Sequence, residues 1–184
     1  MNCQELFFNL FAIYVVPKSV GDTWVSYPWN IPYDEQTATI SLADMGFKKE
    51  GGKDAFSNFI DALNTCTRLT SYDGGTTELN NLIYCDEGMT AAGKPKVTSA
   101  GTIFDNTVKC TAVYPTHTDL QALARMMNAP HDLVLVSDNN DFFLLRSPEE
   151  GYRCEVVQNL GNAWRHDVSF TVQNCHGLQL IMTE

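Results

Sequence analysis

Positive charge is scarce in this chain of 184 residues: 12 Lys and Arg stand against 22 Asp and Glu, a net charge of −10. That balance argues against a protein built to grip phosphate backbones, which needs rows of cations. Nucleic acid that slides past without sticking remains compatible, because each missing Lys–phosphate contact removes a brake on passage. Long hydrophobic runs are absent too. The longest, LFAIYVV at residues 10–16, falls far short of the roughly 20 apolar residues that span a bilayer as a helix. The opening stretch MNCQELFFNLFAIYVVP has neither a positively charged n-region nor a small-residue cleavage site. No export signal and no membrane partner are expected, and the protein reads as soluble.

Motifs that carry chemistry are also missing. The six cysteines, Cys3, Cys66, Cys85, Cys110, Cys154 and Cys175, contain no CxxC. Cys175 and His176 are the only Cys–His neighbours, and adjacent residues on a strand point to opposite faces, so a shared metal is not expected. The cysteines read as reduced and mostly buried in a protein made in a cytoplasm. His117, His131, His166 and His176 show no HxH or HExxH spacing, and GxSxG, P-loop and GxGxxG motifs do not occur. Thr118 and Asp119, beside His117, are explained by helix capping and the helix dipole. No catalyst, no cofactor and no metal are expected. The rival class is a small enzyme or ligand-binding domain with a pocket near His117, His131 or His166.

The apolar fraction of 44% with 18% charged residues is globular composition, and the length fits a single domain over residues 1–184. Residues 10–18 and 23–27 are rich in aromatic and β-branched types and read as strands separated by a Pro/Gly turn. After Asp54, the residues Ala55, Phe56, Phe59, Ile60 and Leu63 recur at three- and four-residue spacing, the pattern of a short amphipathic helix. ELNNLIYC at residues 78–85 is undecided between strand and helical turn. Residues 86–102, DEGMTAAGKPKVTSAGT, hold little to bury and read as an extended loop or arm.

The C-terminal half is more orderly. TVKCTAVY alternates, with Val108, Cys110 and Ala112 on one face, so a half-buried strand is expected. A helix is expected after Thr118, with Leu120, Leu123, Ala124 and Met127 as its apolar stripe. VLVSDNNDFFLLR at residues 134–146 sets Asp138, Asn139, Asn140 and Asp141 between two apolar runs. A Ca²⁺ loop would need further oxygen ligands where Phe142 and Phe143 stand. A hairpin turn needs only central residues that tolerate positive φ, which Asn139–Asn140 supply. Both flanking runs are apolar at every position, so each strand is expected to be covered on both faces, the second by another copy of the chain. YRCEVVQ, DVSFTVQ and GLQLIM read as the last strands.

This order of segments over residues 105–182, from DNTVKCTAVY through TDLQALARMM, LVLVSDNNDFFLL and GYRCEV to VSFTV, resembles phage tail structural proteins carried by phages and prophages of gut Bacteroidales. The resemblance implies a mainly β, α+β fold: a tail-tube-like β-sandwich or barrel with a flanking helix, similar to the tube protein of type VI secretion. It implies a non-enzymatic virion protein, tube or tube-adjacent, made in the bacterial host cytoplasm. Its partners would be copies of itself in a ring, hexameric by analogy, together with other tail or neck proteins, and DNA passing through without tight binding. In such an assembly Asp86, Glu87, Met89, Lys94 and Lys96 on the arm are the expected subunit or inter-ring contacts.

Overall fold

The computed structural model describes residues 9–17, 29, 31, 37–66, 68–70, 78–80, 82–113, 130–148, 151–160 and 164–183. Along these the order is β1 (Leu10–Pro17), β2 (Thr39–Ser41), α1 (Ala55–Cys66), β3 (Arg68–Thr70), β4 (Glu78–Asn80), β5 (Leu82–Thr98) and β6 (Gly101–Val113). It continues with β7 (His131–Ser137), β8 (Phe142–Leu145), β9 (Tyr152–Leu160), β10 (Trp164–Asn174) and β11 (Leu178–Met182). Nine strands form one sheet in the order β2-β11-β8-β7-β1-β5-β6-β10-β9, while β3 and β4 make a separate small pair. All pairings in the large sheet are antiparallel except β11 with β2.

β5 folds the sheet over. Leu82, Ile83, Tyr84 and, past a bulge, Met89 pair with β1, while from Cys85 to Thr98 the strand pairs with β6, and two register shifts lie between Cys85 and Thr90. Bulges bend a strand and raise its twist, which lets one strand serve two halves of a sheet. The halves close on a core of Ile13, Val15, Leu133, Leu135 and Leu145 from one side and Val108, Cys110, Val168, Phe170 and Val172 from the other. The expected mainly β fold is therefore present, with a closed four-stranded barrel to which further strands are added. Val108, Cys110 and Ala112 all face inward, as their alternation requires.

The other face of β1, β7 and β8 is covered by the same chain. Val134, Val136, Phe142 and Leu144 pack with Phe59 and Leu63 of α1, Met45, Trp29 and Ile181. Every residue of β7 is buried. The expectation that a second copy covers this face is thus corrected, because α1 and the chain leading to it fill the space. α1 is the amphipathic helix read from Phe56, Phe59, Ile60 and Leu63. Asp54 caps it, accepting the Ser57 N–H at 2.7 Å, and that hydrogen bond holds its carboxyl below the usual carboxylate range.

Residues 86–102 are not a loop. They lie in β5 and the start of β6, joined by a tight turn in which Thr98 Oγ1 donates to Gly101 O at 2.8 Å and accepts from Ala100 N at 3.2 Å. Small polar residues hid this, because a ribbon exposed on both faces carries no alternation of apolar side chains. Undecided residues 78–85 become β4 and the start of β5. The strand expected at 23–27 and the helix expected after Thr118 lie outside the described residues, as do His117, Thr118 and Asp119 themselves.

Candidate functional site

Among the described residues, three regions carry side chains that the core does not absorb. The first is the far part of the β5–β6 ribbon. Residues 92–97 are all exposed, and Val97 keeps 83% of its surface in solvent. Beyond Met89, β5 pairs with β6, and among the described residues no strand pairs with its other edge. Lys94 and Lys96 stand there and, with Pro95 between them, break the edge as a template for indiscriminate pairing. Residues 90–104 contain these two cations and no acid, so the remainder of the sequence carries 10 − 22 = −12 against +2 on the ribbon.

The second region is the bend between β10 and β11. Gly177 has φ +71°, a left-handed conformation that glycine takes without strain, and its N–H donates to Asn174 Oδ1 at 2.8 Å. Asn174 Nδ2 donates to Arg146 O at 2.8 Å, and Asn106 Nδ2 donates to Asn174 Oδ1 at 3.1 Å. A Cβ on Gly93 would come within 2.7 Å of Asn106 Oδ1, so glycine at this point of β5 lets the Asn106 amide sit where the bend needs it. The bend turns Cys175 and His176 toward each other: Sγ and Nε2 are 3.1 Å apart. Arg146 Nη1 lies 3.5 Å from the same Nε2, while Nη2 donates to Ile31 O at 3.1 Å. Cys175 and His176 both line an open concavity of about 490 Å³ together with Thr37, Phe104 and Asn106.

Arg146 and His176 belong to a buried polar seam at the ends of β7 and β8. Asp132, fully buried, accepts the Trp29 indole N–H at 3.1 Å and the Ser147 backbone N–H at 2.8 Å. The third region, the outer face of β6, β10 and β9, is polar as well. Lys109, Thr111, Glu155, Asp167 and Ser169 line a shallow hollow of about 420 Å³, in which Thr111 Oγ1 donates to Asp167 Oδ1 at 2.9 Å.

The expected site residues fall out differently. Lys94 and Lys96 are exposed on the ribbon, but Met89 is buried in the core and is corrected as a contact residue. Its neighbours Asp86 and Glu87 lie on the bulged part of β5, between the two halves of the sheet. Asp138 to Asp141 do form the β7–β8 turn, although only Asn140 has positive φ, 62°. Asn140 N donates to Ser137 O and Ser137 N to Asp141 O, so the loop is a turn followed by one left-handed residue and not the Asn139–Asn140 pair. The carboxylates are engaged: Asp138 Oδ2 accepts from Asn9 and Asp141 Oδ2 from Ser137.

His131 and His166 are buried on the inner face of the sheet, His131 against the Tyr152 ring at 5.9 Å, and neither lines the hollows described. Burial pulls the His166 imidazole down from its ordinary value. Among the described residues, the histidine beside an open concavity is His176. Sequence reading passed over it by treating residues 175 and 176 as strand, where side chains diverge. The cue was the NCHG sequence, since Asn and Gly mark a bend. Among the described residues no helix is long and apolar enough to cross a membrane, and no cluster of three or more His, Cys, Asp or Glu is placed to hold a metal. The chain matches no protein-family model, and no curated protein or solved structure matches it.

Proposed function

We propose that this chain is a structural subunit that works by self-assembly, a tube or tube-adjacent component of a phage tail in which rings of copies form a conduit for DNA. The observation that carries the reading is the β5–β6 ribbon: a long paired arm whose outer part touches little of its own domain and ends in exposed Val97 between Lys96 and Thr98. A two-stranded projection gains no stability from such exposure, and a surface partner gives it a use.

Charge supports a copy of the same chain as that partner. A cationic arm on an otherwise acidic chain is complementary to another copy's body, and such a head-to-tail contact closes into a ring or continues as a filament. Hexameric order and the place in a virion tail rest on the resemblance of residues 105–182 to phage tail proteins. An acidic chain also suits a channel that DNA must leave, because weak contact with phosphates keeps passage fast. Other tail or neck proteins would join at the ring faces. Negative-stain electron microscopy of the purified chain, with and without Lys94→Glu plus Lys96→Glu, tests the reading. Rings lost in the double variant support it, and a monomer at every concentration contradicts it.

A second reading, a ligand-binding domain or small enzyme, is favoured by one specific observation, the concavity beside His176. It takes the place of a pocket near His131 or His166, which line neither hollow, while His117 lies outside the described residues. Saturable binding of a small molecule in that concavity by a chain that stays monomeric would favour this reading over the first.

A further inference from the structure

The Cys175–His176 contact lies outside anything the assembly reading uses. Arg146 carries only N–H donors, so its Nη1 contact at 3.5 Å is a hydrogen bond only in the tautomer with the ring proton on Nδ1, and in that tautomer the Nε2 lone pair also faces Cys175 Sγ, the nearer of the two at 3.1 Å. In that tautomer the Cys175 S–H can donate to His176 Nε2, the arrangement in which an imidazole takes the proton of an attacking thiol. A thiolate formed there lies beside an imidazolium and, one contact further, the Arg146 guanidinium. Such electropositive, partly open surroundings distinguish reactive cysteines from inert buried ones.

Two other cysteines are unlike it. Cys110 and Cys154 are buried in the core. Hydrogen bonding with Cys85 and burial push Cys110 up, and burial pushes Cys154 up to about 12. Cys175 is half-buried and opens on a hollow of about 490 Å³, a volume in the range that admits small molecules.

We propose that Cys175 is a nucleophilic thiol with His176 as its proton acceptor, and that the hollow before it admits small disulfides for thiol–disulfide exchange. In the step, the Sγ proton passes to His176 Nε2 and Sγ attacks one sulfur of the disulfide. The disulfide S–S bond breaks and a Cys175 S–S bond forms. The other half leaves as a thiolate and takes the proton from the imidazolium or from water. Cys175 is oxidised, the small disulfide is reduced, and an added thiol reverses the exchange.

The test is site-resolved kinetics on the whole chain, with 5,5′-dithiobis(2-nitrobenzoate) as the anionic probe and 4,4′-dithiodipyridine as the neutral one. Modification of the Cys175 peptide is followed by mass spectrometry at neutral pH. In the folded protein Cys175 should react faster than in the same chain unfolded in urea. His176→Gln should slow the Cys175 step on the order of a hundredfold, the low end of what a positioned proton acceptor contributes. Arg146→Gln should lower the ratio of the anionic to the neutral probe's rate, read on variant chain that circular dichroism shows to be folded. A native Cys175 no faster than in urea overturns the proposal even if His176→Gln fails to fold. A folded His176→Gln variant reacting at the wild-type rate overturns it as well.

Discussion

The ring of Phe142 on β8 meets the ring of Phe59 on α1 edge-to-face, with centroids 5.6 Å apart and planes at 85°. Phe47 and Phe56 complete the cluster around Phe59, at 5.5 and 6.3 Å. This contact explains why the apolar runs flanking the β7–β8 turn need no second subunit. One face looks into the folded sheet and the other onto α1. Truncating Phe59 to Ala should cost about 3–5 kcal/mol, as for other large aromatic side chains deleted from cores. Urea denaturation should give that loss independently of protein concentration. A loss that shrinks at high concentration would mean that another copy helps cover the face.

Much of this architecture was legible, for a physical reason. Val108, Cys110 and Ala112 alternate because β6 has one dry face, and Phe59 and Leu63 recur at helical spacing because α1 does. The ribbon was not legible, since Thr90 to Thr98 and Gly101 to Ile103 form strands held by backbone pairing and bury almost no side chain. The polar seam was written as His131–Asp132 before one apolar run and Arg146–Ser147 after the next, a symmetry that only the β7–β8 pairing brings together. Cys175 and His176 were hidden by the assumption of strand geometry at a bend.

Gly93→Ala should be destabilising by about 1–3 kcal/mol, because the new methyl displaces the buried Asn106 amide from its hydrogen bonds. The displacement reaches Asn174 and hence the Cys175–His176 bend. Chemical denaturation measures the first effect, and the chemical shifts of Gly177 and Cys175 amides in an NMR spectrum report the second. Ala at 93 with wild-type stability would show that the approach of Asn106 has no energetic weight.

At the β7–β8 turn, Asn140→Val places a β-branched residue at φ 62° and should lower stability by about 1–2 kcal/mol, while Asn140→Gly should be tolerated. Melting with and without EDTA should coincide, since Asp138 and Asp141 already accept hydrogen bonds from Asn9 and Ser137. A melting point raised by Ca²⁺ would restore the metal-loop reading of these residues.

Stability should fall as the solution is acidified below about pH 6.5, the ordinary value of an unfolded histidine. Burial lowers the His166 imidazole in the folded chain, so the unfolded chain binds the proton first and is favoured on acidification. The contribution is fully present above the unfolded value and is lost as pH falls toward the lowered folded one. His166→Gln should flatten this part of the stability–pH curve, measured by urea denaturation at a series of pH values. An unchanged slope would remove His166 as its source.

Shortening the ribbon should separate assembly from folding. Replacing residues 96–103 by a two-residue turn leaves Met89, Val108 and the β6–β10 pairing from Phe104 onward in place. The shortened chain should keep its melting temperature and lose self-association. A cut through residues 86–101, by contrast, would remove Met89 and much of the bent part of β5 and should unfold the domain.

The mass of the particle formed by the purified wild-type chain, followed by light scattering across a range of concentrations and paired with negative-stain images, tests the assembly account most directly. The account predicts ring-sized particles with a central hole, dispersed to monomers by Lys94→Glu with Lys96→Glu and weakened by added salt. A wild-type chain that remains monomeric at every concentration, or rings that persist unchanged in the double variant, would contradict it.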